Sequence, residues 1–320
     1  MPASLDIFRA LADPTRLRIV MLLRKMELSV GELAQVLGQS QPRVSRHVKI
    51  LCDAGLAIRR KEGSWAFLCP GAPARVDPVF HALDQWQAQD SENHWIVADT
   101  ARLAAVHADR AASAERYFAA HAAQWDAIRS LHVAESEVEA AMAEALAQAP
   151  VGRLVDVGTG TGRMIELFGG PSKSAIGIDR SPEMLRLARG KLSNLDLGSW
   201  ELRQGDLAAL PIPDDAADTV ILHQVLHYIP APESAIAELS RILSPTGRLL
   251  IVDFAPHERE ELRDRGAHTR LGFSDEQIVG WFAAAGLECD LIENLGGGTL
   301  TVKLWRATRR AVPLLKVVAP

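Results

Sequence analysis

Apolar positions in the first seventy residues recur at helical spacing and then switch to alternation. Between residues 5 and 25, Phe8 and Leu11, then Leu17, Ile19, Val20, Leu22 and Leu23, supply the apolar faces of two helices. Asp13-Pro14 marks the break between them, with Asp as N-cap and Pro at the first helical position. Val30 to Leu37 reads as a third helix that Gly38 ends. Ser40-Gln41-Pro42 opens a fourth, which runs to about Asp53 with Gly55 as its stop. In that helix Val44, His47, Val48 and Leu51 stand at i, i+3, i+4 and i+7 and should face a core. Arg43, Ser45, Arg46 and Lys49 are left outside. Ala57 to Lys61 and Ser64 to Leu68 then flank Glu62-Gly63 as a β-hairpin.

Residues 76–110 and 114–148 read as helical, the second stretch with a break near Val133. Val79, Phe80, Leu83 and Trp86 mark one apolar side, and Tyr117, Phe118, Trp125 and Ile128 another. From residue 154 short apolar runs alternate with amphipathic stretches. Strands are expected at Leu154 to Val157, Ala175 to Asp179, Trp200 to Arg203, Asp218 to Leu222 and Arg248 to Phe254. Helices are expected after Gly162, after Ser181, from Ala231 to Leu243 and from Ser274. Leu287 to Asn294 and Thr299 to Trp305 close the pattern as an antiparallel pair. The order predicts an α+β winged helix-turn-helix over 1–72, a helical connector over 73–150, a doubly wound, seven-stranded α/β domain over 151–307, and a tail over 308–320.

Charge sharpens this division. The net charge is −5, yet residues 1–75 hold twelve Lys/Arg against six Asp/Glu, and the remainder holds 23 against 34. A basic first quarter on an acidic chain points to a polyanion-binding module joined to something else. Outward Arg43, Ser45, Arg46 and Lys49, with Gln41 at the helix start, match what a major groove accepts. Arg59, Arg60 and Lys61 put three cations near the hairpin tip. The alternative for those three is an ordinary solvated hairpin. Cys52, Cys69 and Cys289 have no metal spacing and suggest no disulfide framework. With no apolar run of membrane length and no signal peptide, the expected compartment is the reducing cytoplasm.

The chemistry concentrates in Asp156-Val157-Gly158-Thr159-Gly160-Thr161-Gly162, a strand end, three alternate glycines and a helix start. A dinucleotide fingerprint would place its third glycine at 163, where Arg163 stands. Asp179 lies 21 positions after Gly158, where an acid accepts from ribose hydroxyls, and Arg180 follows it. The third strand ends in Gly205-Asp206-Leu207. The form D-x-G-x-G-x-G resembles motif I of the class I S-adenosylmethionine (SAM) methyltransferases. That resemblance covers about residues 113–307 and implies SAM as cofactor. It implies contacts from Asp156, Gly158, Thr159, Gly160, Gly162, Asp179, Arg180, Gly205, Asp206, Leu207 and His223. Asp206 would meet the adenine amino group, and the helix carrying Tyr117 and Trp125 would fold over the cofactor. Without a ligand the glycine stretch would be only a tight strand–helix turn, and the aromatic stripe only core.

Phe8-Arg9-Ala10-Leu11-Ala12-Asp13-Pro14-Thr15-Arg16-Leu17-Arg18-Ile19, the helices around Ser40 to Leu51 and the basic hairpin resemble the winged helix of the ArsR family. The resemblance implies operator DNA as partner and a homodimer paired through the helix after the wing. Many members sense metals through a Cys-x-Cys pair. Here Ser29 and Gly31 stand at those positions, and neither supplies a soft ligand, so no metal is expected there. His81 and His94 fit no ligand template.

Methyl transfer is an in-line displacement in which the protein mainly positions and encloses. The acceptor is expected over the ends of the fourth and fifth strands. Leu222-His223-Gln224-Val225-Leu226-His227-Tyr228 lacks the Asn/Asp/Ser-Pro-Pro-aromatic motif of DNA amino-methylating enzymes. Arsenite methylation would need several thiolates at the site, and Cys289 stands alone there. His223, His227, His257 and His268 are candidates for a general base, with His223 and His227 foremost. They could equally be metal ligands or polar lining. Three functions follow: a regulator whose DNA binding responds to SAM or its demethylated product, a working small-molecule methyltransferase that controls its own operon, and a ligand sensor without catalysis.

Overall fold

The computed structural model describes residues 4–62, 65–87, 95, 97–106, 108, 134–170, 172–296 and 299–309. Internal contacts divide the chain into two units, residues 1–112 with 258–260, and residues 113–257 with 261–320.

The first unit runs α1 (Ser4–Leu11), α2 (Pro14–Lys25), β1 (Leu28–Ser29), α3 (Val30–Leu37), α4 (Gln41–Asp53), β2 (Ala57–Glu62), β3 (Trp65–Pro70) and α5 (Pro73–Gln87). Asp13 caps α2 by accepting from the Thr15 and Arg16 amides at 2.9 and 3.1 Å. β1 is too short to announce itself by alternation. It pairs antiparallel with β3, Leu28 against Leu68, and makes a three-stranded sheet β1-β3-β2. Ile19, Leu28, Leu33, Val44, Val48, Leu51 and Leu68 form the centre of the core. Phe8 departs from the expected core face and is 64% exposed, while Ala10 turns inward. α5 starts three residues before the expected helix, at Pro73, where a first-turn proline is tolerated. Residues 97–106 are also helical, and their Leu103 and Val106 enter the winged-helix core. Asp99 accepts from Arg18 Nε and Nη2 at 2.6 and 2.5 Å, and Arg102 donates to the Val36 carbonyl at 3.2 Å.

The second unit runs α6 (Glu135–Ala147), β4 (Arg153–Val157), α7 (Arg163–Phe168), β5 (Ser174–Asp179), α8 (Pro182–Leu192), β6 (Trp200–Gln204), β7 (Ala217–His223), α9 (Pro232–Ile242), β8 (Leu243–Phe254), α10 (Glu261–Gly266), α11 (Asp275–Ala284), β9 (Leu287–Leu295) and β10 (Val302–Arg309). The sheet order is β6-β5-β4-β7-β8-β10-β9, parallel through β8 and antiparallel at β10 and β9. This is the seven-stranded, doubly wound arrangement expected. One boundary differs: Ser244 to Gly247, expected as a turn, lies within β8. The chain enters the strand directly from α9, and the register shifts between the Ala217–Leu243 and Thr219–Arg248 pairs. The order reverses between β4 and β7, which opens a crevice at their C-terminal ends. α6 is fixed beside this point. Glu139 accepts from Arg163 Nε and Nη2 at 2.7 and 2.8 Å, and Arg306 donates to the Ala145 carbonyl at 2.6 Å.

Candidate cofactor site and DNA-reading surface

Gly158, Gly160 and Gly162 all take positive φ, +70°, +52° and +84°. Only glycine adopts such a run without strain. At Gly158 space also decides: a Cβ would stand 2.4 Å from Val225 Cγ2. The turn is pinned to the neighbouring strand, because the Gly158 and Thr159 amides both donate to the Ile178 carbonyl, at 2.7 and 2.9 Å. The Thr159 hydroxyl donates to buried Asp156 at 2.6 Å, so this pair shapes the loop from beneath.

Asp179 joins the loop to the second strand end. Its Oδ2 accepts from the Gly160 amide and its Oδ1 from the Ser181 amide, both at 2.8 Å. Burial pushes its carboxyl above the usual range, and the Ser181, Gly160 and Arg180 amides pull against that. At the third strand end the Gly205 amide donates to the Asp179 carbonyl at 3.0 Å. A Cβ there would stand 2.8 Å from Pro211 Cδ. Asp206 is exposed, accepts from the Ala208 amide at 2.9 Å, and lies 3.8 Å from Arg180 Nη1. Leu207 is buried in the core beside them. A half-buried carboxylate with two tied oxygens and an exposed one across the strand ends suit the ribose hydroxyls and the adenine amine of a SAM-type nucleoside. Tyr117 and Trp125 lie outside the described residues.

The fourth and fifth strand ends meet at the expected acceptor side. His223 ends β7 and is buried. Gln224 follows with φ +53°, a strained conformation for a residue with a side chain. His227 sits in a short 3-10 turn, Leu226–Tyr228, and is 1% exposed. Its Nδ1 lies 2.8 Å from Oδ1 of Asp253, the penultimate residue of β8. Asp253 and strained Gln224 escaped the sequence reading. The first is one acid among many until β7 and β8 pair, and backbone strain leaves no compositional mark. His268 packs on His227 with ring centroids 4.2 Å apart, and His257 lies 6.5 Å from His268.

On the winged helix, Val44, Val48 and Leu51 are fully buried, and Gln41, Arg43, Arg46 and Lys49 are exposed. Ser45 is half-buried. His47 reaches Asp13 at 3.6 Å rather than the core centre. Lys49 pairs with Asp53 at 2.9 Å on the exposed face. Arg59 is exposed, but Arg60 departs from the expectation of a phosphate-facing cation. It forms a forked pair with nearly buried Glu27, its Nη1 at 2.9 Å from Oε1. The Lys61 backbone pairs with Ala66, and its side chain lies outside the described residues. Ser29 accepts from the Glu32 amide and Glu32 returns the bond, closing the cap of α3. A Cβ on Gly31 would stand 3.1 Å from Gln41 Nε2. The two positions that carry thiolates elsewhere are used here for capping and for close packing.

Comparison with known proteins agrees with this division. A family model described as bacterial regulatory protein, arsR family, matches residues 13–59, and one described as a methyltransferase domain matches residues 155–251. The arsenical resistance operon repressor of Escherichia coli K12 is 39% identical over 101 residues, 31% of this chain and 85% of the repressor. The demethylmenaquinone methyltransferase of Deinococcus radiodurans is 37% identical over 153 residues, 46% of this chain and 63% of that enzyme, so the match spans less than two thirds of it. A chain from the complex between the Haloferax volcanii Trm112 methyltransferase activator and a methyltransferase superposes with a TM-score of 0.52. It shares 22% identity, over 62% of this chain and 98% of its own length, and shows the fold.

Proposed function

The chain belongs to the ArsR family and carries a class I methyltransferase domain behind its winged helix, and on that premise we propose that it is an operator-binding regulator whose DNA affinity responds to SAM or its demethylated product, S-adenosylhomocysteine. The observation that carries this reading is the intact glycine turn, gripped by Asp179 through Gly160 and Ser181, in the same chain as a recognition helix with a basic front. In this reading Gln41, Arg43, Ser45, Arg46 and Lys49 face the major groove, and Arg59 and Lys61 face phosphate. Asp179 holds the ribose, Asp206 with Arg180, Gly205 and Leu207 encloses the adenine, and Gly158, Thr159, Gly160 and Gly162 admit the rest. Asp156 holds the turn in shape, and His223 completes the enclosure. SAM, when bound, supplies an activated methyl group; the chain's own part is to position and enclose it.

Exposed Leu5 and Phe8 on α1 and Trp86 on α5 support a homodimer. Among the described residues no helix is long and apolar enough to cross a membrane, and a cytoplasmic protein is what the proposed operator binding calls for. Coupling has a physical start in the helical residues 97–106. They hold both α2, through Asp99, and the end of α3, through Arg102. The second reading, a working small-molecule methyltransferase that regulates its own operon, is favoured by the buried His227–Asp253 pair. The test is operator affinity, on a site selected from random DNA, at zero and saturating SAM and then with S-adenosylhomocysteine. The expected change is about 5- to 150-fold, the usual range of such coupling. Three equal affinities overturn the regulatory reading.

A further inference from the structure

We propose that His227 and Asp253 form a proton-accepting pair for a methyl acceptor with an aromatic hydroxyl group. This rests on the methyltransferase reading and names the substrate class of that site.

The pair is built from two strand ends. Asp253 is fully buried: Oδ1 accepts from the Phe254 amide at 2.7 Å and lies 2.8 Å from His227 Nδ1, and Oδ2 accepts from the His227 amide at 3.2 Å. Both carboxyl oxygens already accept from backbone amides, and an imidazole that donates through Nδ1 adds a third bond of the same kind, so in this proposal the imidazole proton is placed on Nδ1. Nε2, on the side of the ring away from Asp253, is then a lone-pair nitrogen. It is buried, and among the described residues it has no hydrogen-bond partner. Leaving that bond unmade costs on the order of 1–3 kcal/mol, and a proton taken from an acceptor would make it.

The surroundings choose the ligand. Phe254 lies 5.0 Å and Tyr228 3.9 Å from the imidazole, centroid to centroid, and His268 stacks on Phe254 at 17°. Flat rings on several sides suit a flat aromatic partner. A thiol needs little help to ionise near neutrality, whereas a phenol, with a pKa of about 10, gains from a neutral imidazole placed on its proton. In this proposal the acceptor enters where the excursion 255–272 lies over the ring. It is closed at its base by the bonds Phe273 amide to Phe254 carbonyl and His257 amide to Leu271 carbonyl, at 2.9 and 3.0 Å. The same excursion lays His268 on the His227 ring, and its Thr269 and Arg270 amides donate to the His227 carbonyl. Displacing it uncovers Nε2. In the reaction the phenolic proton passes to Nε2 as the oxygen bonds to the methyl carbon of a sulfonium donor. The carbon–sulfur bond breaks, and its electron pair leaves with sulfur as a thioether. The imidazolium is held by Asp253 until its proton returns to water.

The experiment uses the full-length protein and 4-nitrophenol, whose ionised form absorbs in the visible. The probe is titrated below its own pKa, with and without S-adenosylhomocysteine. Nitrogen-15 NMR of labelled histidine reports the tautomer. The expected result is growth of the phenolate band with the parent protein, loss of the band in His227→Gln, and an unprotonated Nε2 in the parent. Asp253→Asn, which keeps the shape but reverses the hydrogen bond to Nδ1, should lose the band as well. A parent that leaves the probe protonated overturns the proposal, as does an undiminished band in folded His227→Gln or Asp253→Asn. Calorimetry of S-adenosylhomocysteine separates the two readings. Failure to bind it would sink the cofactor assignment, whereas normal binding without a phenolate band would sink this one alone.

Discussion

Asp179 shows how one carboxylate both builds the candidate site and sets its pH response. It holds the Gly160 and Ser181 amides, and burial raises its pKa despite those bonds. In the proposed reading a ribose hydroxyl would donate to the ionised form. Cofactor affinity should therefore be level at higher pH and fall as pH drops through the raised pKa of Asp179, that is, earlier than an ordinary Asp would allow. Asp179→Asn cannot accept from both amides and a hydroxyl as the carboxylate does. It should weaken S-adenosylhomocysteine by about 1–3 kcal/mol and remove this acid limb. Calorimetry across pH checks both, and an identical acid limb in the variant would refute the assignment.

At the scale of the element, the wing contains two arginines that its sequence makes look equivalent. β2 and β3 alternate so that Arg59 and Arg60 leave on opposite faces of the hairpin. Arg59 stays exposed, while Arg60 turns toward Glu27, just before β1. Arg59→Ala should reduce the salt dependence of operator binding by about one phosphate contact and leave stability unchanged. Arg60→Ala should leave the salt slope alone and lower unfolding stability by roughly 1–3 kcal/mol, because the nearly buried Glu27 loses the forked pair with Arg60. Salt titrations of DNA affinity beside denaturant melts distinguish them. Equal salt slopes for the two variants would show that Arg60 leaves Glu27 on DNA.

For the whole molecule the question is how a ligand at one strand end reaches a recognition helix. α6 is the last helix before the glycine turn, and Glu139 holds it to Arg163, the first residue of the helix that the turn opens. The ion pair and its neighbour Glu166 drive the Arg163 guanidinium pKa well up. In the regulatory reading Glu139→Gln should lower the factor by which S-adenosylhomocysteine changes operator affinity. DNA affinity measured without it should stay the same. By linkage the operator's effect on ligand affinity must fall by the same factor. An unchanged coupling factor would remove α6 from the path.

Local signals were enough for much of this protein. Caps and breaks placed α2, α3 and α4, since Asp13 and Gly38 act on backbone groups within a few residues and Pro42 suits a first helical turn. Alternation of strands and helices was enough for the doubly wound sheet, because each strand's burial is written in its own run. The glycines at 158, 160 and 162 were legible because positive φ restricts residue type at the position itself. What required the tertiary structure joins residues far apart in the chain. Asp253 became the partner of His227 only when β7 and β8 lay side by side. Arg60 became a structural cation only when the wing folded back over Glu27, and Phe8 was turned outward by the packing of α1. Periodicity says which residues share a face, but the partner of that face is set by long-range packing, whose energy no single segment contains.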